Sequence, residues 1–134
     1  MENKKGVLFD MDGTLINTYE NINLKQVLSE LKTVPKTLIL KILASRVKSF
    51  AQLETKIYEE IEDQKEAQCL IDRISKFLVE HYDNTTMKKD ALAFLDYLKS
   101  NDYKICLCTN NATSLVEHII QHKQLEGYFD YVIT

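Results

Sequence analysis

The chain has 134 residues, 45% of them hydrophobic and 28% charged, a balance that excludes a disordered or fibrous protein and suits one folded domain with a modest insertion. Net charge is −3, and Arg46 and Arg73 are the only arginines, which argues against a nucleic-acid partner held by its phosphate backbone. The polar start, Met1 to Gly6, is followed by too short an apolar run for a signal peptide. No stretch reaches the ~18 apolar residues of a membrane span, so the expected location is cytoplasmic, with no membrane partner.

In chain order, Val7-Leu8-Phe9 is an apolar run without polar alternation, which predicts a parallel-sheet strand covered on both faces. It ends in the acidic turn Asp10-Met11-Asp12-Gly13-Thr14. From Asn17 to Thr86 every periodic segment is helical. Ile22, Leu24, Val27, Leu28 and Leu31 mark a first helix; after Pro35, Leu38, Leu40, Ile42 and Leu43 mark a second. Phe50, Leu53, Ile57 and Ile61 define a third, and Leu70, Ile71, Ile74, Phe77 and Leu78 a fourth. These faces are expected to pack mainly on one another. Thr85 and Thr86 are candidate caps for a helix carrying Ala91, Phe94, Leu95 and Leu98. A second strand spans Tyr103 to Thr109, a helix carries Leu115, Val116, Ile119 and Ile120, and Tyr131-Val132-Ile133 forms a third strand. The alternation predicts an α/β fold, a parallel Rossmann-like core of about three strands at 1–16 and 87–134, with a helical insertion at 17–86. Three cysteines are too few for a disulfide framework. Cys106 and Cys108 would share a strand face as small buried residues, since no second Cys/His pair at ligand spacing supports the alternative of a metal pair.

The acidic turn carries the chemistry. Two aspartates and a glycine can simply cap a turn. Beyond the carboxyl end of a parallel strand, however, they occupy the place where ligands bind. One carboxylate can attack a phosphoryl group there while the other passes a proton to the leaving oxygen. A hard divalent cation, magnesium for all-oxygen ligands, is expected to offset their repulsion.

The run VLFDMDGTLINT, Val7 to Thr18, resembles the first motif of the haloacid dehalogenase superfamily, and Leu107-Cys108-Thr109-Asn110-Asn111 resembles its second. The helical block matches the position of that family's α-helical cap. The resemblance implies a phosphatase of a small phosphorylated metabolite, with Asp10 as nucleophile and magnesium ligand. Asp12 would be general acid and base, with its carbonyl on the metal. Thr109 would bind the phosphoryl group, aided by Asn110 and the following helix N-terminus; alternatively Thr109 and Asn110 merely cap that helix. Linkers near Leu15 to Thr18 and Asn84 to Lys88 would be the hinges of the cap.

Departures from the family pattern carry expectations too. Asn17 stands where many helical-cap relatives have aspartate. The lysine and distal aspartates that resemblance places after the third strand have no counterpart up to Thr134; Lys88, Lys89 and Lys123 are not assigned the role. The first strand is then a sheet edge with uncovered side chains, so the expectation is either a longer natural parent, of which this is an amino-terminal part, or self-association that covers the edge, with at most feeble activity. Phosphomutase action and a non-catalytic binding module are the alternative functions. Lys41, Arg46 and Lys48 are candidates for a second substrate anion or a solvated face. His118 and His122 form an i, i+4 pair with no third ligand evident in the sequence.

Overall fold

The computed structural model describes residues 3–20 and 22–134; the Leu24 side chain, expected on the first inserted helix's apolar face, lies outside the described residues. The elements run β1 (Gly6–Asp10), α1 (Leu24–Leu31), α2 (Lys36–Ala44), α3 (Phe50–Glu60), α4 (Gln64–Asp83), α5 (Ala91–Ser100), β2 (Lys104–Cys108), α6 (Thr113–His122) and β3 (Tyr131–Ile133). They divide into two compact units, Met1–Asn21 with Tyr82–Thr134, and Ile22–His81. The ends of the 17–86 block, 17–21 and 82–86, thus lie in the α/β unit.

The α/β unit is built on a parallel sheet of order β1-β2-β3. Register sets Val7 opposite Ile105 and Phe9 opposite Leu107, so these four share one face. Ile105 and Leu107 are buried there, α5 packs on β2, and Phe9 meets Phe94 edge-on at 5.9 Å. Helix α5 contributes Ala91, Leu95 and Leu98 to the buried set, and α6 contributes Leu115, Val116 and Ile119.

The other sheet face differs from the expectation of double coverage. Leu8, Cys106 and Tyr131 form one row across the sheet, and Leu8 is 67% exposed. No described element closes over that row, so Cys106 and Cys108 are half-buried rather than core residues. β1 is the sheet edge that the motif order implies, with one side of its backbone unpaired among the described residues.

Thr85 and Thr86 do not cap α5. Thr85 Oγ1 donates to the Tyr82 carbonyl at 2.7 Å, closing the end of α4, and Thr86 Oγ1 accepts from the Asn17 amide. Asp90, in the left-handed region at φ 64°, precedes α5 without a side-chain cap.

Asp130, just before β3, ties the sheet from its lower end. Its carboxylate accepts the Ile105 N–H at 2.8 Å and the Lys104 ammonium at 3.3 Å, which together hold its carboxyl below the usual aspartate range, the backbone bond being the stronger cause. As pH falls from about 3.9, the unfolded chain takes up this proton before the folded one, so stability drops with acid. Asp130→Asn should lower the melting temperature at neutral pH and flatten its decline between roughly pH 4 and the folded Asp130 value; thermal melts across the acid range check this.

In the helical unit, Asn23 and Ser49 cap α1 and α3 through their side-chain oxygens, and Asp63 accepts the Lys65 and Glu66 N–H groups at the start of α4. Pro35 precedes α2, where its fixed φ costs nothing. Ile57, Ala67 and Ile71 form the buried centre, packed by Ile42, Phe50 and Ile74 among others. The expected mutual packing is incomplete. Ile22, Leu28 and Leu31 near or on α1, and Leu40 and Leu43 on α2, remain exposed, and Leu31 and Leu43 line a cavity of about 290 Å³ between the α1, α2 and α4 side chains. Lys41 is paired with Glu60 at 2.6 Å, and Arg46 and Lys48 are exposed.

Candidate active site

Asp10 is the last residue of β1, and its exposed carboxylate engages no hydrogen bond or ion pair among the described residues. Its position follows from β1: Phe9 points into the core, so the next side chain emerges on the opposite face at the carboxyl end of a parallel strand.

The turn that follows is stapled by Met11, whose carbonyl accepts the N–H groups of Thr14, Leu15 and Ile16 at 3.0–3.3 Å. Met11, Leu15 and Ile16 are buried, anchoring the loop from beneath. Gly13 has φ 71°, a conformation that favours glycine, and a Cβ there would come within 3.1 Å of the Tyr19 ring.

Asp12 is held differently from Asp10. Its Oδ1 accepts Thr18 Oγ1 at 2.7 Å and the Tyr82 hydroxyl at 2.6 Å, and its Oδ2 accepts Asn111 Nδ2 at 2.8 Å. Burial, reinforced by the bond to Asp12, holds the Tyr82 phenol protonated well above the ordinary tyrosine range, so it stays a donor. Among the described residues the two aspartates therefore divide sharply: one exposed and unbonded, one oriented by three donors.

Thr109, buried just after β2, completes the group. Its Oγ1 accepts both the backbone N–H and the side-chain amide of Asn111, at 3.2 and 3.1 Å. With its lone pairs so engaged, the hydroxyl proton is free to be donated to an anion. The capping alternative fails for both candidates, since α6 starts from Ala112 without a side-chain cap. Asn110 is exposed and makes no side-chain bond to this group; its neighbour Asn111 does. Choosing between adjacent asparagines requires the loop path, which residue type does not encode.

Tyr82 stands out in the sequence only as the neighbour of His81 at the end of the fourth helical period, a pair that reads as surface rather than site. Asn17 ties the loop after β1 to the segment after α4. Its amide donates to Thr86 Oγ1 at 2.8 Å and to the Met87 carbonyl at 3.2 Å, while its N–H donates to the Thr86 carbonyl. With Lys88 N–H on the Leu15 carbonyl, these segments form a short antiparallel pair. An aspartate could not donate either amide bond.

Magnesium fits the donor set. The unbonded Asp10 carboxylate and the Asp12 backbone carbonyl, which accepts no hydrogen bond among the described residues, are hard oxygens available for a cation that keeps several of its own waters. No described lysine pairs with Asp10, and the Lys123 ammonium is committed to the Thr85 carbonyl at 2.6 Å.

A family model described as a haloacid dehalogenase-like hydrolase matches residues 4–134. The chain belongs to the haloacid dehalogenase-like hydrolases. The chain is 30% identical over 131 residues to the pyrophosphatase PpaX of Bacillus cereus (strain B4264), covering 96% of the chain and 58% of that protein. It resembles a solved predicted phosphatase from Clostridium acetobutylicum at 26% identity and a TM-score of 0.62, covering 96% of this chain and 60% of the other. A predicted phosphoglycolate phosphatase from Haemophilus somnus 129PT shares the fold at a TM-score of 0.67 and 20% identity, with coverage of 99% and 63%. The haloacid dehalogenase-like chain thus spans less than two thirds of the length of these relatives. No helix among its described residues is long and apolar enough to cross a membrane.

Proposed function

We propose that the site transfers the phosphoryl group of a small phosphorylated metabolite to Asp10 and then to water. The observation that carries this reading is the contrast between the unbonded Asp10 carboxylate and the thrice-bonded Asp12 carboxylate in one loop. Asp10 attacks phosphorus, forming an acyl phosphate as the bond to the leaving oxygen breaks. Asp12 supplies the proton that oxygen needs, then takes one from the water that attacks phosphorus and releases phosphate, restoring Asp10. The Thr18 and Tyr82 hydroxyls orient the Asp12 carboxyl, and a hydroxyl can rotate to accept when that carboxyl carries its proton. Thr109 donates to a phosphoryl oxygen. A magnesium ion bound by the Asp10 carboxylate and the Asp12 carbonyl would offset charge between nucleophile and phosphate. The Ile22–His81 unit is read as the family's cap, the source of substrate discrimination.

Covalent trapping tests this directly. The chain is incubated with magnesium and a panel of phosphate monoesters and a pyrophosphate, the latter because a relative bears that activity in its name. After acid quenching, phosphoryl mass should appear on Asp10, and EDTA should prevent it. Asp12→Asn should still accept the group but release it about 10²–10⁴-fold more slowly. Labelling at another residue, or unchanged labelling in EDTA, overturns the assignment.

A further inference from the structure

We propose that Asp83, His118 and His122 form a second cation site, suited to zinc or a similar borderline metal. Asp83 ends α4 and belongs to the α/β unit, as does α6, which carries both histidines. His118 Nε2 lies 2.7 Å from Asp83 Oδ1, and His122 Nδ1 lies 3.7 Å from the same oxygen. One oxygen or nitrogen from each residue falls within 4.8 Å of the others. The imidazoles stack one helical turn apart, with centroids 5.7 Å apart and planes 14° from parallel.

Both histidines lie within ion-pair distance of Asp83, but only His118 is close enough to share a hydrogen bond with it. His122 lies beyond hydrogen-bond reach of the carboxylate, yet it turns a ring nitrogen to the same point. A shared cation accounts for both rings. Zinc bonds of about 2.0–2.2 Å in a tetrahedron put ligand atoms roughly 3.3 Å apart, between the two spacings to Asp83 and inside the 4.8 Å that bounds the set, so side-chain movements can complete it. A fourth position stays open to water, since the cluster is only partly buried. Two imidazoles and one carboxylate favour zinc over magnesium, which prefers oxygen, so this site and the Asp10 loop would sort the two metals. The neighbouring cation, Lys123, is turned onto the Thr85 carbonyl.

The test is calorimetric titration of the whole chain with zinc in the presence of excess magnesium. One zinc per chain is expected, with a rise in melting temperature. His118→Ala, His122→Ala and Asp83→Asn should each weaken binding at least about tenfold, while Asp10→Asn leaves it unchanged. His118→Gln keeps a helix-compatible side chain and serves as the control should the alanine variant misfold. Cobalt substitution should give ligand-field bands without a thiolate charge-transfer band, separating this cluster from the cysteines. Equal zinc affinity in the His118→Gln/His122→Gln double variant, thiolate bands, or no saturable binding by the unaltered chain overturns the site.

Discussion

Replacing Asp10 with asparagine should reduce phosphoryl capture by about four orders of magnitude or more, with the fold unchanged. The amide keeps the size of the carboxylate but has neither its charge nor its nucleophilic oxygen. Asp10 is exposed and makes no bond within the described structure, so no native contact is lost. The melting temperature should therefore stay level or rise, because an unpaired carboxylate near Asp12 is repulsive. That combination separates a residue kept for chemistry from one kept for packing. The comparison is quenched labelling and thermal melts of the two proteins side by side. Full labelling in Asp10→Asn would remove Asp10 from the mechanism.

The largest effect on stability is expected at Leu95. It is fully buried on α5, the helix packed against β2, and truncation to alanine should cost about 2–5 kcal/mol from lost burial and the cavity left behind. Leu92 lies on the same helix but is 44% exposed, and its replacement by alanine should cost under about 1 kcal/mol. Urea unfolding of both variants measures the difference. Equal losses would mean that α5 does not bury the face assigned to it.

These residues also mark what the sequence conveys and what it does not. Periodicity is a local property, and the inserted helices, α5, α6 and all three strands are found where it places them. Coverage is not local. Val7-Leu8-Phe9 reads as apolar throughout, yet Leu8 is open because burial depends on what crosses that sheet face. Leu40 and Leu43 are exposed for the same kind of reason. In the candidate site, Asp10, Asp12 and Thr109 stand out because a strand end and an unusual turn flag them. Thr18, Tyr82 and Asn111 become visible only once the chain has folded back, Tyr82 from the end of α4 and Asn111 from the loop after β2. His118 and His122 show their spacing in sequence, but Asp83 joins them only in three dimensions.

The pairing of β1 with β2 has a consequence for how the chain is made. Gly6 faces Lys104 and Asp10 faces Cys108, so the first strand leaves the ribosome long before its partner exists. At about 5–20 residues per second, β1 waits roughly 5–20 s with Val7, Leu8 and Phe9 unpaired. The helices of Ile22–His81 depend on contacts within that span and can form during the wait, whereas the sheet must close a long loop. The interval before β2 emerges is therefore when the nascent chain is most open to strand pairing with a neighbour, and when a chaperone that grips short apolar segments would find its target in β1.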